Sequence, residues 1–393
     1  MNNLGTLLND GLGKGSIGLL IAFVLAVGLT PLAIRLAWRL DVVDRPVGDK
    51  IHRRPTPLMG GVAIAVAFLL TVLLWQRVDN RELLGLLVGC ALASLLGIYD
   101  EVLKLKPRAH FLGQIGVVAV ALLAGFPMVQ RVSNPFVNYQ QRFGPGGHTD
   151  SVYLSQLLGV HTGLGGLDGA PLATAVIGVS FTLFWIVGMM NTVNFLDGLD
   201  GLAGGVTGIA ALFLGLWSLL SVRIGFPPTH DNQNVVLPLI LCGAILGFLV
   251  FNWAPARVFM GDSGAMFIGF ALGALSIFGP VKLGTALLLL IIPIVDVAWA
   301  IVRRLLGRRS FASGDKHHIY HRMLELGLSR RAVVLVFYAL CVGLGLIDLT
   351  LVKRDKLIAF AIVALLAAAG AVALEVRGRR AAATAGAALR DSP

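Results

Sequence analysis

Charge is scarce in this chain. Of its 393 residues only 13% are Asp, Glu, Lys or Arg, about half the share of a soluble domain, while 56% are hydrophobic and the mean hydropathy is +0.83. That excludes an ordinary soluble enzyme and indicates a polytopic membrane protein. Alternation of apolar and polar residues is also missing. The apolar runs are long and continuous, which excludes a β-barrel and leaves an all-α membrane fold. Cysteine is limited to Cys90, Cys242 and Cys341, each inside an apolar run and without metal-ligand spacing, so neither a disulfide framework nor a zinc site is implied. Acids are fewer than bases, 21 against 32, for a formal charge of +11. Lysine and arginine at membrane edges account for that excess and would attract anionic lipids and substrates, so no nucleic-acid partner is needed. The first apolar run, near 16–38, has no small-residue cleavage signal ahead of Asp41 and reads as a retained span.

A span needs about 20 apolar residues. About eleven such transmembrane helices are expected, near 16–38, 58–75, 82–99, 111–125, 171–190, 201–222, 234–252, 264–279, 283–302, 332–351 and 357–376. With the N-terminus outside and the C-terminus cytoplasmic, the inner segments hold 21 of the 32 Lys and Arg, the bias that sets orientation. Residues 1–380 are expected to form one integral membrane catalytic domain, with 126–170 an extracytoplasmic loop, 303–331 a cytoplasmic loop and 381–393 a disordered tail. Asp100, Asp197, Asp200, Asp262, His318 and His321 then fall on the cytoplasmic side, although none of them entered the orientation argument.

Two acidic loops carry most of the chemical signal. In Asn191–Gly201, the residues Asn194, Asp197 and Asp200 recur every third position and share a face if the end of the loop is helical. Like charges on one face oppose one another unless a cation or a donor sits among them. The glycines at 201, 204 and 205 would let backbone approach a phosphate at a helix start. Gly261-Asp262-Ser263-Gly264 precedes the eighth span, where Ser or Asp is an ordinary N-cap. An accessible Asp262 there could equally ligate a metal. Asp100-Glu101 closes the third span: either a solvated helix end, or carboxylates that bind Mg²⁺ or take a proton.

Basic residues flank these acids. Lys104, Lys106, Arg108 and His110 follow Asp100. Lys50, His52, Arg53 and Arg54 precede a Pro and Gly hinge, and form either a topogenic edge or an anion funnel with Lys50 and Arg54 as substrate contacts. In 303–331 the positive-inside rule explains the arginines but not His317, His318 and His321. His318-x-x-His321 could bind zinc, but nothing completes such a site, and donors to a diphosphate fit better. Asp296, inside the ninth span, is expected to pair with an inner-face arginine.

Taken in order, Asp44–Pro46 with His52–Gly61, Gly97–Gln114, Asn191–Gly205, Phe251–Gly264, Asp296 with Arg303-Arg304, and Asp315–His321 resemble the polyprenyl-phosphate N-acetylhexosamine-1-phosphate transferases, and within them the undecaprenyl-phosphate GlcNAc-1-phosphate branch. The resemblance implies Mg²⁺-dependent (or Mn²⁺-supported) transfer of a sugar phosphate from a UDP-sugar to a polyprenyl phosphate, at the cytoplasmic face of a bacterial inner membrane, to begin a cell-envelope glycan. Asp100, Glu101, Asp197, Asp200 and Asp262 match its catalytic acids, with Asp262 and Asp100 as metal ligands. Asn191, Asn194, Arg304, His318 and His321 match its substrate contacts. Partners implied are the UDP-sugar, the lipid phosphate and the bilayer, with a homodimer left open. Two departures stand out: Asp100-Glu101 replaces an Asp-Asp pair, which puts metal binding by Glu101 in doubt, and Tyr320 occupies the place of a histidine. A phospho-MurNAc-pentapeptide transferase and, more remotely, an anionic-solute transporter are the competing readings.

Overall fold

The computed structural model describes residues 2–46, 55–76, 78–129, 131–133, 151–153, 171–223, 233–278, 282–306, 318–351, 355–370 and 372–373. The regular secondary structure of the described residues is helical apart from two short antiparallel ladders, so the all-α expectation holds with a small amendment. The helices are α1 (Asn2–Arg39), α2 (Gly60–Trp75), α3 (Arg81–Leu103), α4 (Pro107–Leu123), α5 (Pro171–Leu196), α6 (Leu202–Arg223), α7 (Gln233–Asn252), α8 (Gly261–Ile277), α9 (Lys282–Leu289), α10 (Ile291–Leu306), α11 (Ile319–Glu325) and α12 (Arg330–Thr350). A further helix, α13, covers 355–370. Strands β1 (Val43–Asp44) and β2 (Thr56–Pro57) pair with each other, as do β3 (Arg131–Ser133) and β4 (Ser151–Tyr153). The second ladder lies within the segment 126–170, expected from sequence to be an extracytoplasmic loop. Residues 381–393 lie outside the described residues.

Local chemistry accounts for the ends of these elements. Asn80 caps α3 by accepting the Leu83 N–H at 2.7 Å, and Ser329 caps α12 through Ala332 N at 3.2 Å. Pro107, which lacks the N–H that a first turn leaves unused, opens α4.

Six described helices are long and apolar enough to cross a membrane, or seven when the bent pair α9–α10 counts as one. Helices α2, α4 and α8 are apolar but shorter. The ninth span expected from sequence is broken: its two halves meet at 74° about Leu290. Pro293 supplies the cause, because it cannot donate to the Leu289 carbonyl and its ring crowds that group. The thiol of Cys341 approaches the same carbonyl at 3.6 Å.

Helix α8 is the central post. Every residue from Ser263 to Ser276 is buried, against α2, α3 and α5 in particular. In a lipid phase, helices are held by close van der Waals fit more than by expulsion of water. Small residues provide that fit here: Gly61 of α2 meets Gly264 backbone to backbone, and Gly97 of α3 lies on the backbone of Asp262 and Ser263. This packing fixes the start of α8 relative to the end of α3.

Candidate active site

The ends of α3, α5 and α7 and the starts of α8 and α12 surround one cavity of about 530 Å³, a size suited to a small-molecule ligand. Asp100, Glu101, Asn194, Asp197, Asp200 and Asp262 all line it, although they are spread over more than 160 positions of sequence. Lys104 and Arg330 add positive charge to the same wall.

Asp100 sits in the last turn of α3. Lys104 takes a left-handed conformation (φ 48°) and turns the chain back, so that Leu105 N–H donates to Asp100 Oδ1 at 2.8 Å. His110, in the first turn of α4, places Nδ1 2.5 Å from Asp100 Oδ2. Both oxygens of this acid therefore have protein partners. His110 Nε2 is buried and has no hydrogen-bond partner.

Glu101 reaches across to α8. Its Oε1 accepts the N–H of Ser263 at 3.0 Å and the Ser263 hydroxyl at 3.2 Å, while Oε2 is buried without a hydrogen-bond partner. The start of α8 is capped by this carboxylate from another helix and not by Asp262 or Ser263. Asp262 belongs to the first helical turn, next to Gly261 at φ +72°. The reading of Asp262 or Ser263 as an N-cap is corrected on this geometry.

The acidic loop after α5 also departs from expectation. Asn194 is still helical, but Asp197–Gly201 is a turn, so helical periodicity does not align the three residues. The turn brings them to the cavity by other means. Asp200 Oδ2 accepts Ala256 N–H at 3.0 Å. The backbone N–H of Gly201 donates to Asn252 Oδ1 at 2.9 Å, and its carbonyl accepts the Tyr338 hydroxyl at 2.6 Å. Burial pushes the Asp197 carboxyl up to about 7; the like charges of Asp262 and Asp200 add to the rise, and the Gly261 N–H opposes it.

The histidine segment packs against this turn, and neither His318 nor His321 lines the cavity. Asp296, expected from sequence to serve an arginine, engages it with both oxygens: His318 Nδ1 lies 2.9 Å from Oδ2, and Ile319 N–H donates to Oδ1 at 3.0 Å. Tyr320 is buried with its hydroxyl against Gly198 of the acidic turn, and His321 packs on Tyr320 with ring centroids 4.4 Å apart. A tyrosine in place of a histidine thus serves here as a packing contact to the turn. Asn191 does not line the cavity; its Nδ2 donates to Gln114 Oε1 at 2.8 Å and to Val187 O at 2.8 Å. Arg304 contributes backbone to the last turn of α10. Lys50, Arg54 and Asp315 lie outside the described residues.

Sequence reasoning gave no individual role to Asn252, Tyr338, Gln114 or Asp44. Asn252 and Asp44 line the cavity. Asn252 is buried at the end of an apolar helix, where a polar residue must find partners. That requirement was the available signal.

Comparison with known proteins finds related sequences. Residues 83–280 match glycosyl transferase family 4. The chain is 29% identical over 340 residues to a probable undecaprenyl-phosphate N-acetylglucosaminyl 1-phosphate transferase of Bacillus subtilis, covering 83% of each protein. It is 32% identical to the decaprenyl-phosphate N-acetylglucosaminephosphotransferase of Mycobacterium tuberculosis, over 82% of this chain and 78% of that one. A phospho-N-acetylmuramoyl-pentapeptide-transferase of Carboxydothermus hydrogenoformans is 29% identical over 82% of this chain and 94% of its own length.

Proposed function

The chain belongs to glycosyl transferase family 4, and we propose that it transfers GlcNAc-1-phosphate from UDP-GlcNAc to a polyprenyl phosphate, giving UMP and polyprenyl-diphospho-GlcNAc. The observation that carries this reading is the convergence of five acids, Asp100, Glu101, Asp197, Asp200 and Asp262, on one cavity at the end of an apolar bundle. In the reaction, an oxygen of the lipid phosphate bonds to the β-phosphorus of the UDP-sugar. The bond from that phosphorus to the oxygen bridging the α-phosphate breaks, and its electron pair leaves with UMP.

The obstacle is Coulombic, because three phosphate groups must meet. An all-oxygen, acidic donor set suits a hard divalent cation, and the unpartnered Glu101 Oε2 and raised Asp197 both fit a site that gains from positive charge. Among the described residues no three of His, Cys, Asp and Glu are arranged to hold a metal alone. Mg²⁺ commonly takes one or two carboxylates together with substrate phosphates and water, so this geometry accords with the ion. Asp262 and Asp100 would hold it, and it would offset the charge of the diphosphate and of the departing UMP.

The protein's own groups then have separable tasks. Asp100, held by His110 and Leu105 N–H, orients the lipid phosphate. Asn194, Asp197 and Asp200 face the nucleotide. Lys104, Arg330 and the His318 segment meet phosphate charge, with Lys50, Arg54, Arg304 and His321 as further contacts. Eleven spans, an external N-terminus and a cavity on the cytoplasmic face of a bacterial inner membrane complete the reading, supported by the two-to-one bias of Lys and Arg.

The direct test is release of radiolabelled UMP from UDP-GlcNAc by purified protein, dependent on polyprenyl phosphate and on Mg²⁺, and abolished in Asp262→Ala. Folded protein that releases none sinks the proposal. The muramoyl-pentapeptide relative gives the second reading, which would stand if UDP-MurNAc-pentapeptide alone supported turnover.

A further inference from the structure

Asp296 lies outside the cavity wall and is not among the acids assigned above to metal or substrate. It is 13% exposed and its partner His318 is 5% exposed. A buried acid in an apolar helix is costly unless it is fully used. Here both oxygens are used, and both serve a single short segment: Oδ2 meets His318 Nδ1 at 2.9 Å, and Oδ1 accepts Ile319 N–H at 3.0 Å. The second bond matters as much as the first. It stops rotation of the carboxylate, so that the imidazole is held against a fixed acceptor and not merely a near one.

The chemistry of the pair decides which ring nitrogen is left over. An ionised carboxylate only accepts, so the proton between Asp296 and His318 sits on Nδ1. Nε2 is the nitrogen that remains. The ring plane is fixed as well: His318 stacks on Tyr320 with an interplanar angle of 8° and lies 5.5 Å from the Phe195 ring, centroid to centroid. Phe195 stands two positions before Asp197, and the Tyr320 hydroxyl rests on Gly198. The imidazole is therefore registered to the acidic turn through two aromatic contacts, and to α10 through Asp296.

We propose that Asp296 is a positioning residue for the transfer reaction: it fixes the orientation and tautomer of His318 and, through the His318 stack on Tyr320 and the Tyr320 contact to Gly198, the placement of the acidic turn that carries Asp197. This inference rests on the transferase reading. Asp296 touches no reacting atom and acts through the histidine. Asp296 lies one turn after the Pro293 break, in the second half of the bent pair α9–α10.

The test is a double-mutant cycle on UMP release. Asp296→Asn is isosteric and keeps an oxygen for Ile319 N–H, but loses the charge and the forced tautomer. It is expected to lower kcat by about ten- to a hundredfold, the range seen when the hydrogen-bond partner that orients a metal-bound histidine is removed. The KM for the lipid phosphate should stay within about twofold, since the lipid phosphate is assigned to Asp100. In a His318→Gln background the same change should have no further effect, because its route is already cut. Asp296→Glu, which retains charge with one added methylene, should fall between wild type and Asp296→Asn, and it carries the test if the Asn variant does not fold. Multiplicative losses in the double variant, or an Asp296→Asn protein with a lower melting temperature and unchanged kcat, would show a purely structural acid and overturn the inference while leaving the transferase reading intact. A wild-type protein without turnover overturns both.

Discussion

Glu101 on α3 caps α8: its Oε1 holds the N–H of Ser263 at 3.0 Å and the hydroxyl of the same serine at 3.2 Å. An acceptor oxygen at a helix N-terminus answers a donor that the helix itself leaves unsatisfied. The contact locks the end of one helix to the start of another, and Asp262 lies immediately before the capped serine. The longer side chain of Glu, relative to Asp, is what spans the gap. This explains the departure seen in sequence as a structural clamp beside the reacting groups.

Glu101→Ala should therefore destabilise the protein by about 1–2 kcal/mol, the usual cost of a lost N-cap. Glu101→Gln retains an acceptor for Ser263 and should keep most of that stability. Thermal unfolding of both variants in the same detergent measures the difference. Equal melting temperatures for Ala and wild type would remove the clamp.

The acidic turn makes a prediction about pH. An ordinary aspartate titrates near 3.8, whereas Asp197 is pushed up to about 7 in the fold. The folded state thus binds this proton more tightly than the unfolded chain, and stability falls as pH rises from about 4 to about 7. With chelator present, the melting temperature should decline across that window, and Asp197→Asn should flatten the decline. Millimolar Mg²⁺ should recover stability most at the upper end of the window, where Asp197 is ionised. A melting temperature independent of both pH and Mg²⁺ would contradict the description of a repelling acid cluster.

Much of the fold was legible because apolar run length is a direct physical demand of the bilayer, and the acidic turn and the start of α8 stood out because Asp197, Asp200 and Asp262 are poor residues for packing. Three kinds of feature were hidden. The break at Leu290 was missed because Pro293 was not weighed against the length of its run. The Asp296–His318 and Asp100–His110 pairs depend on where chain segments fold back, which residue type does not specify. Asp348 was passed over as an intramembrane acid because it sits near the end of a run. It is fully buried in α12, with Lys356 Nζ 2.8 Å away.

That pair supports a third prediction. Lys356 belongs to α13, donates to Thr285 of α9 at 3.1 Å and lies 3.5 Å over the Trp217 ring of α6; Thr285 in turn donates to Asp348 at 2.8 Å. Removing one member of a buried pair leaves an uncompensated charge, at a cost of about 3–5 kcal/mol. Lys356→Met alone should destabilise by that order, and Asp348→Asn with Lys356→Met should recover much of the loss. Since the cluster is separate from the cavity, the folded fraction of each variant should retain wild-type kcat. Unfolding midpoints and turnover per folded molecule decide both points.

Gly261 carries the last prediction, because two independent constraints meet there. Its φ of +72° is a conformation that side-chain-bearing residues rarely adopt. An added Cβ would also run into Glu101 Oε1 and the Leu58 carbonyl, one the capping oxygen of α8 and the other rigid backbone. Strain of this kind costs on the order of 1–3 kcal/mol, and relief requires α8 or Glu101 to move. Either movement displaces Asp262, the next residue along. Gly261→Ala should therefore lose stability and activity together, with turnover reduced about a hundredfold by a shift of an ångström at the reacting groups. Gly370→Ala, in a helix and where an added Cβ meets nothing within 4 Å, is the control and should cost neither stability nor turnover. If Gly261→Ala melts and turns over like that control, the tight junction between Glu101, Leu58 and the start of α8 does not govern the site.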